Sequence, residues 1–261
     1  MRVFRFVAFS FALIACGPAR QRPHDDGGGS GSNVDAGNEL GTACSSDLHN
    51  VLDDNGNVVA TCPDDQGCAA GACVPACQAA AASQGSVGCD FVVATPSFYA
   101  GIAPPCFAVF LANNWPKDVG VTIAYGGTPY DATVFGRVPD GTPSAASWPA
   151  IPATGITSSN VGVLFLSQDP SSVNGSPLTC PITPAISQAN GTAVYGGGGT
   201  TGLGQGWHIT TTYPVSAYDI LPYGGASSYL PSAELLLPTT AWGTNYVTAG
   251  SQKSSGPGWG Q

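Results

Sequence analysis

The chain has 261 residues, of which 43% are hydrophobic and only 9% charged, a balance opposite to that of a disordered protein, so most of it should fold. Its formal net charge is −9, with 7 Lys and Arg against 16 Asp and Glu. No basic cluster exists, which argues against nucleic acid as a partner and against electrostatic attachment to anionic lipid.

The first element is a short apolar run, Val7 to Ala15, behind Arg2 and Arg5. This is the layout of a secretory signal peptide over residues 1–15. The run is too short to span a bilayer, which takes about 20 residues. It ends in Leu13-Ile14-Ala15-Cys16, which resembles the box of bacterial lipoproteins. That resemblance implies cleavage before Cys16, a diacylglyceryl thioether on its sulfur and a palmitate-type acyl group on its new amine. The lipid on Cys16 would make the membrane a partner, since two or three acyl chains anchor a protein stably where one does not. Gly17 rather than Asp follows, which by the same resemblance implies the outer membrane, at the cell surface. Without Arg2 and Arg5 the net charge is about −11. Residues 16–43 carry Gly, Ser, Asn and Asp with no apolar period and read as a flexible tether. A Gly-rich coil of that length spans roughly 25–30 Å. His24 within it is solvated.

The eight remaining cysteines are Cys44, Cys62, Cys68, Cys73, Cys77, Cys89, Cys106 and Cys180. In an exported chain an even number reads as disulfides rather than a zinc site, and no His lies among Cys68, Cys73 and Cys77. On the order of 100 pairings are open. Cys106 and Cys180 tie two elements of the later domain, or Cys89 pairs with one of them. Five of the eight fall in residues 44–87, a small Cys-rich module that relies on its cross-links for stability. Within it, Asp53-Asp54-Asn55-Gly56-Asn57 between Val51-Leu52 and Val58-Val59 signals a hairpin with a type I′ turn at Asn55-Gly56. The same stretch partly matches a calcium loop, but Val58 stands where that loop has Gly. An Ala-rich helix follows from Pro75 to Ser83.

From Cys89 the pattern changes to strands punctuated by Gly and Pro. The candidates are Phe91–Ala94, Cys106–Leu111, Val119–Tyr125, Asp131–Val138, Val161–Leu166, Thr192–Tyr195, Trp207–Thr212, Val215–Leu221, Glu234–Leu237 and Asn245–Thr248. Cys106–Leu111 is nearly all apolar and therefore central. Gly126-Gly127 closes a turn. About ten short strands predict an all-β antiparallel sandwich or barrel over residues 88–249. The segment 250–261, rich in Gly and Ser, reads as a flexible tail.

Several segments carry a resemblance. They are Gly88-Cys89-Asp90-Phe91-Val92, Cys106 to Asn113, Val121-Thr122-Ile123, Tyr213 to Tyr223, Ser232 to Pro238, and Trp242-Gly243-Thr244-Asn245-Tyr246. In order and content they resemble the IgGFc-binding protein N-terminal domain family, as found in exported bacterial lipoproteins with a Cys-rich stalk. The most specific positions are Pro214, Val215, Ala217 and Tyr218, then Leu235, Leu236, Leu237, Pro238, Gly243 and Tyr246. The family's domain continues beyond this last segment, so the resemblance implies either a half-length member or a truncated sequence, and a sheet cut at that point would have an unpaired edge. Immunoglobulin binding belongs to the animal namesake and does not carry over.

No catalytic set stands out. His24, His49 and His208 are the only histidines. A Ser–His–Asp set with His208 and Asp219 lacks a Gly-x-Ser-x-Gly elbow. The glycines from Gly196 to Gly206 lack the Lys-Ser/Thr of a phosphate loop. Trp115 in Asn-Asn-Trp-Pro and Trp148 in Ser-Trp-Pro are the candidate ligand contacts, through stacking on sugar or anchoring of a protein. The expectation is therefore a surface-anchored, non-catalytic lipoprotein that binds or adheres to an extracellular protein or glycan, with no cofactor, no metal and no nucleic acid. One alternative is a secreted carbohydrate-active hydrolase with an acid pair among Asp131, Asp140, Asp169 and Asp219. A second is a structural envelope component.

Overall fold

The computed structural model describes residues 41–96, 105–169, 179–187, 205–224 and 232–244. Cys16, the signal, most of the tether, the strand candidates 192–195 and 245–248, the glycines from Gly196 to Gly204, Tyr246 and the tail lie outside the described residues.

The Cys-rich module holds a three-stranded antiparallel sheet of β1 (Ala43–Cys44), β2 (Asn50–Leu52) and β3 (Val58–Thr61), then a hairpin of β4 (Gln66–Ala69) and β5 (Ala72–Pro75). Its small core is largely sulfur, with Val51 packed among Cys62, Cys68, Cys44 and Cys73. Disulfides Cys44–Cys68 and Cys62–Cys73 cross-link it internally. The Asn55-Gly56 turn joins β2 to β3, but not as type I′. Gly56 alone has a left-handed φ of 80°. The Gly56 N–H donates to the Asp53 carbonyl and the Asp53 N–H to the Asn57 carbonyl, each at 2.9 Å. That is a type I turn closed by a left-handed glycine bulge. The Asp53 carboxylate draws it tight, accepting from the backbone N–H of Asn55 and Asn57 and from the Asn57 side chain. Both of its oxygens thus serve the turn.

Helix α1 (Ala76–Ser83) starts after Pro75 and ends at Gln84, whose φ is 48°. Its alanines do more than favour helix. A Cβ added to Gly67 on β4 would stand 2.8 Å from the Ala79 Cβ, so the helix lies almost against the hairpin backbone. The Cys77–Cys89 disulfide ties α1 to the first strand of the larger sheet. The described residues all fall in one compact unit, in which the Cys-rich module buttresses the sheet.

The fold is all-β, as the sequence pattern predicts. Nine strands form one large curled sheet: β6 (Val87–Val93), β7 (Phe107–Ala112), β8 (Val121–Tyr125), β9 (Thr128–Tyr130), β10 (Gly136–Arg137), β11 (Val161–Gln168), β12 (Ile186–Ser187), β13 (Trp207–Leu221) and β14 (Ser232–Leu236). All pairings are antiparallel except β11 with β12. The β8–β9 hairpin turns at Gly126 and Gly127, with φ of 56° and 81°, the type I′ geometry that suits a two-residue loop.

The strand that organises the sheet is β13. The sequence pattern predicts two strands, broken by Pro214; the chain runs through as one of 15 residues. Its first half, Trp207 to Thr211, pairs with β8, and its second half, Ser216 to Ile220, pairs with β7 along the same edge. On the other edge β6 gives way to β14. Pro214 lies between the β8 and β7 ladders and inside the irregular stretch Thr210–Val215 of the β6 ladder, where no ladder bond needs its missing N–H. The sheet therefore folds about β13 into two layers, β6-β13-β8-β9 and β14-β13-β7-β11-β10. The main core between them contains Phe91, Val109, Leu111, Ile123, Leu164, Trp207 and Ile209. Strands β7 and β11 are buried on the reverse face too, by a second cluster of Ala108, Val163, Phe165, Trp148, Ile182 and Tyr223. The Cys106–Cys180 disulfide closes that cluster. This two-sided burial explains why Cys106–Leu111 is apolar throughout.

One predicted strand is absent. Residues Asp131–Val138 begin with a single helical turn, α2 (Ala132–Phe135), and only Gly136–Arg137 is strand. The Asp131 carboxylate accepts from the Thr133 N–H at 2.9 Å and the Thr133 hydroxyl at 2.8 Å. That N-cap outweighs the β-branched content of the segment.

Candidate functional site

Trp115 is only 3% exposed. Its indole N–H donates to the Asp64 carbonyl in the Cys-rich module at 2.7 Å, and its ring packs against His49 with centroids 4.3 Å apart. Asn113 sets it in place: the Asn113 Oδ1 accepts from the Trp115 N–H, and the Asn113 amide donates to the Lys117 and Ile156 carbonyls. The expectation of Trp115 as a ligand contact is thus corrected. It is the plug between module and sandwich, and the polar residues beside it serve the loop rather than solvent. A cleft of about 290 Å³ opens on this seam, lined by His49, Asp64, Asn114, Pro116 and Ser158 among others. Trp148 is half-buried, donates its indole N–H to the Thr142 carbonyl at 2.9 Å, and covers the reverse face of β7 and β11.

His208 on β13 shares a hydrogen bond with Asp90 on β6, Nε2 to Oδ2 at 3.0 Å. The Thr239 hydroxyl donates to the other oxygen of Asp90 at 2.9 Å. The carboxylate therefore stands between hydroxyl and imidazole. A nucleophile relay needs the imidazole in the middle, to take the hydroxyl proton, so this trio fastens the turn at Thr239–Ala241 onto β6. Asp219, the imagined third member, lies in the other half of β13 opposite Glu234.

The four carboxylates of the hydrolase alternative are each engaged locally. Asp131 and Asp140 use the same device, one oxygen accepting the N–H and hydroxyl of a Thr two residues on. These hydrogen bonds, the hydroxyl first, hold both carboxyls below their ordinary value. Asp169 is buried at the end of β11. Asp219 is buried within β13, and its Oδ1 accepts the Glu234 N–H at 3.1 Å. Burial, then the charge of Glu234, pushes its carboxyl up to about 6. A raised carboxyl is what acid catalysis uses, but Asp219 lines neither of the two clefts. Among the described residues, no three His, Cys, Asp or Glu side chains gather as a metal site.

Two surface features are not legible as surfaces in the sequence pattern. One is a row of exposed apolar side chains on the outer face of β13 and β14. Tyr218 and Leu235 are cross-strand partners, each 45% exposed. Leu237 and Trp242 extend the row, and the Trp242 indole donates to the Leu237 carbonyl at 3.1 Å. Among the described residues, β14 pairs only with β13. The resembling positions divide by this geometry. Pro214, Val215 and Ala217 are buried, Leu236 is partly so, and Pro238 packs onto Gly88, where a Cβ would stand 2.4 Å from its ring. Tyr218, Leu235, Leu237 and Gly243 face outward. The second feature is a cleft of about 400 Å³ between β8, β9, α2 and the strap Ile151–Gly155.

No family model, curated protein or solved structure matches this chain.

Proposed function

We propose that this chain is an exported, lipid-anchored, non-catalytic binding protein of the bacterial outer surface, with a protein or glycan outside the cell as its ligand. The observation that carries the reading is the exposed row Tyr218, Leu235, Leu237 and Trp242 on a sheet braced by the Cys77–Cys89 and Cys106–Cys180 disulfides. Two aromatic residues and two leucines exposed side by side form the kind of patch that marks interaction sites, and aromatic anchors dominate binding energy. Their setting in segments that resemble the IgGFc-binding protein N-terminal domain family supports the same role. The Leu-Ile-Ala-Cys box at Cys16 supports attachment through lipid.

The test is a pull-down with oxidised residues 17–261 against outer-surface material, mucin-type glycoproteins and polysaccharides. The expected result is a saturable partner whose affinity falls about tenfold or more when Trp242 or Tyr218 becomes Ala, the usual scale for an aromatic hot spot. A folded, monomeric sample that captures none of these would reject the reading in favour of a structural envelope component.

A further inference from the structure

The cleft beside β9 brings together three properties that define a ligand. Its floor is apolar, made by Val121, Ile123 and Ile151 at the edge of the main core. Its wall is the Tyr130 ring, held by an edge contact to Trp207 with centroids 5.6 Å apart. Its rim carries Asp131, the one ionisable side chain of the lining apart from Tyr130. Asp131 Oδ1 is taken by Thr133, while Oδ2 makes no hydrogen bond or ion pair among the described residues. The Thr133 hydrogen bonds hold the carboxyl below its ordinary value, so it is charged across the physiological range. No Lys, Arg or His lines the cleft.

A carboxylate oxygen free beside an aromatic face, above an apolar floor, is complementary to a cation on an apolar stem. The chain's net charge of −9 attracts the same kind of partner from a distance. Among the described residues β9 pairs only with β8, and its outer edge does not invite strand addition. Pro129 stands opposite Ala124, next to the hydrogen-bonded Tyr125–Thr128 pair. At such a position the N–H would point to the open edge, and proline has none. The occupant is thus a side chain inserted into the cleft rather than a strand laid along it. We propose that this cleft receives the lysine or arginine side chain of a basic polypeptide, a site separate from the Tyr218–Trp242 face.

The experiment follows backbone amide shifts of Tyr130, Thr133 and Ile151 in the whole oxidised chain. The titrants are acetyl-Gly-Lys-Gly-amide, acetyl-Gly-Arg-Gly-amide and, as control, acetyl-Gly-Gln-Gly-amide. The cationic peptides should give saturable shifts and the glutamine peptide none. Asp131→Asn keeps an oxygen to cap Thr133 and leaves Tm unchanged, but removes the charge; it should weaken both cationic peptides about tenfold. Tyr130→Leu should weaken them while keeping the floor closed. Absence of saturable shifts, equal shifts from the glutamine peptide, or unchanged affinity in Asp131→Asn would each overturn the assignment. A surface partner captured through Trp242 but indifferent to Asp131→Asn would leave the binding function standing and remove only this site.

Discussion

Asp219→Asn should raise stability at neutral pH and leave it nearly unchanged in acid. Asp219 is buried on β13 directly across from Glu234, and its carboxyl is raised from an ordinary 3.8 to about 6, by burial first and by the Glu234 charge second. The Glu234 N–H that it accepts pulls the other way and does not win. The native state therefore holds this proton more tightly than the unfolded chain. Its contribution to stability is complete below the unfolded value near 4 and is lost as pH rises through about 6. A shift of this size has a ceiling of about 3 kcal/mol, and relaxation and water entry around the charged carboxyl reduce it to about 1–2 kcal/mol. Asparagine keeps the acceptor for Glu234 and removes the ionisation. In thermal unfolding with disulfides intact, the mutant should exceed the wild type by about 2–8 °C near pH 7.5 and match it near pH 4. The comparison must be between the two proteins, because Asp47, Asp53, Asp131 and Asp140 are lowered and shift stability in the opposite sense as pH falls. An equal Tm difference at both pH values would refute the reasoning, since it would show that Asp219 ionises in the native state as it does unfolded.

Trp115→Ala should cost about 3–5 kcal/mol, and limited proteolysis should then cut the Cys-rich module before the sandwich. Asp131→Ala should lower the denaturant midpoint through the lost cap, where Asp131→Asn leaves it nearly unchanged. Replacing Cys106 and Cys180 by Ser should destabilise by about 4 kcal/mol and replacing Cys77 and Cys89 by about 3 kcal/mol, because the first pair closes the longer loop; chemical unfolding gives the order. Trp242→Ala should change unfolding by no more than about 0.5 kcal/mol while weakening surface binding, which separates its role from that of Trp115.

The sandwich is legible in the sequence where burial is simple. Cys106–Leu111 has no polar position because both of its faces are covered, and the Gly126-Gly127 turn follows from local backbone need. Legibility ends where a distant partner decides. Pro214 looks like a strand stop, and only the exchange of β8 for β7 along β13 shows why the strand continues through it. Trp115 has polar neighbours, and its burial comes from Asp64 and His49, far earlier in the chain. In Leu235-Leu236-Leu237 hydropathy alone suggests three core residues, whereas strand alternation turns only Leu236 inward. The Tyr130–Asp131 cleft was hidden because a strand was expected where the Thr133 cap makes a helical turn.

The disulfide path has a mechanical meaning. A pull that enters at the N-terminal end of the module reaches Cys44, crosses to Cys68, runs along β5 to Cys77 and crosses to Cys89 in β6. The two bridges span sequence separations of 24 and 12, so those loops cannot be drawn out. Unbridged, they would add about 120 Å of slack at full extension. The load instead arrives at Cys89 in β6, whose following residues Asp90–Val93 pair antiparallel with Trp207–Thr210 of β13. If the chain is held at one end and pulled at the other, the two bridges take both loops out of the load path, and within the module only the stretch Cys68–Cys77 is left to lengthen.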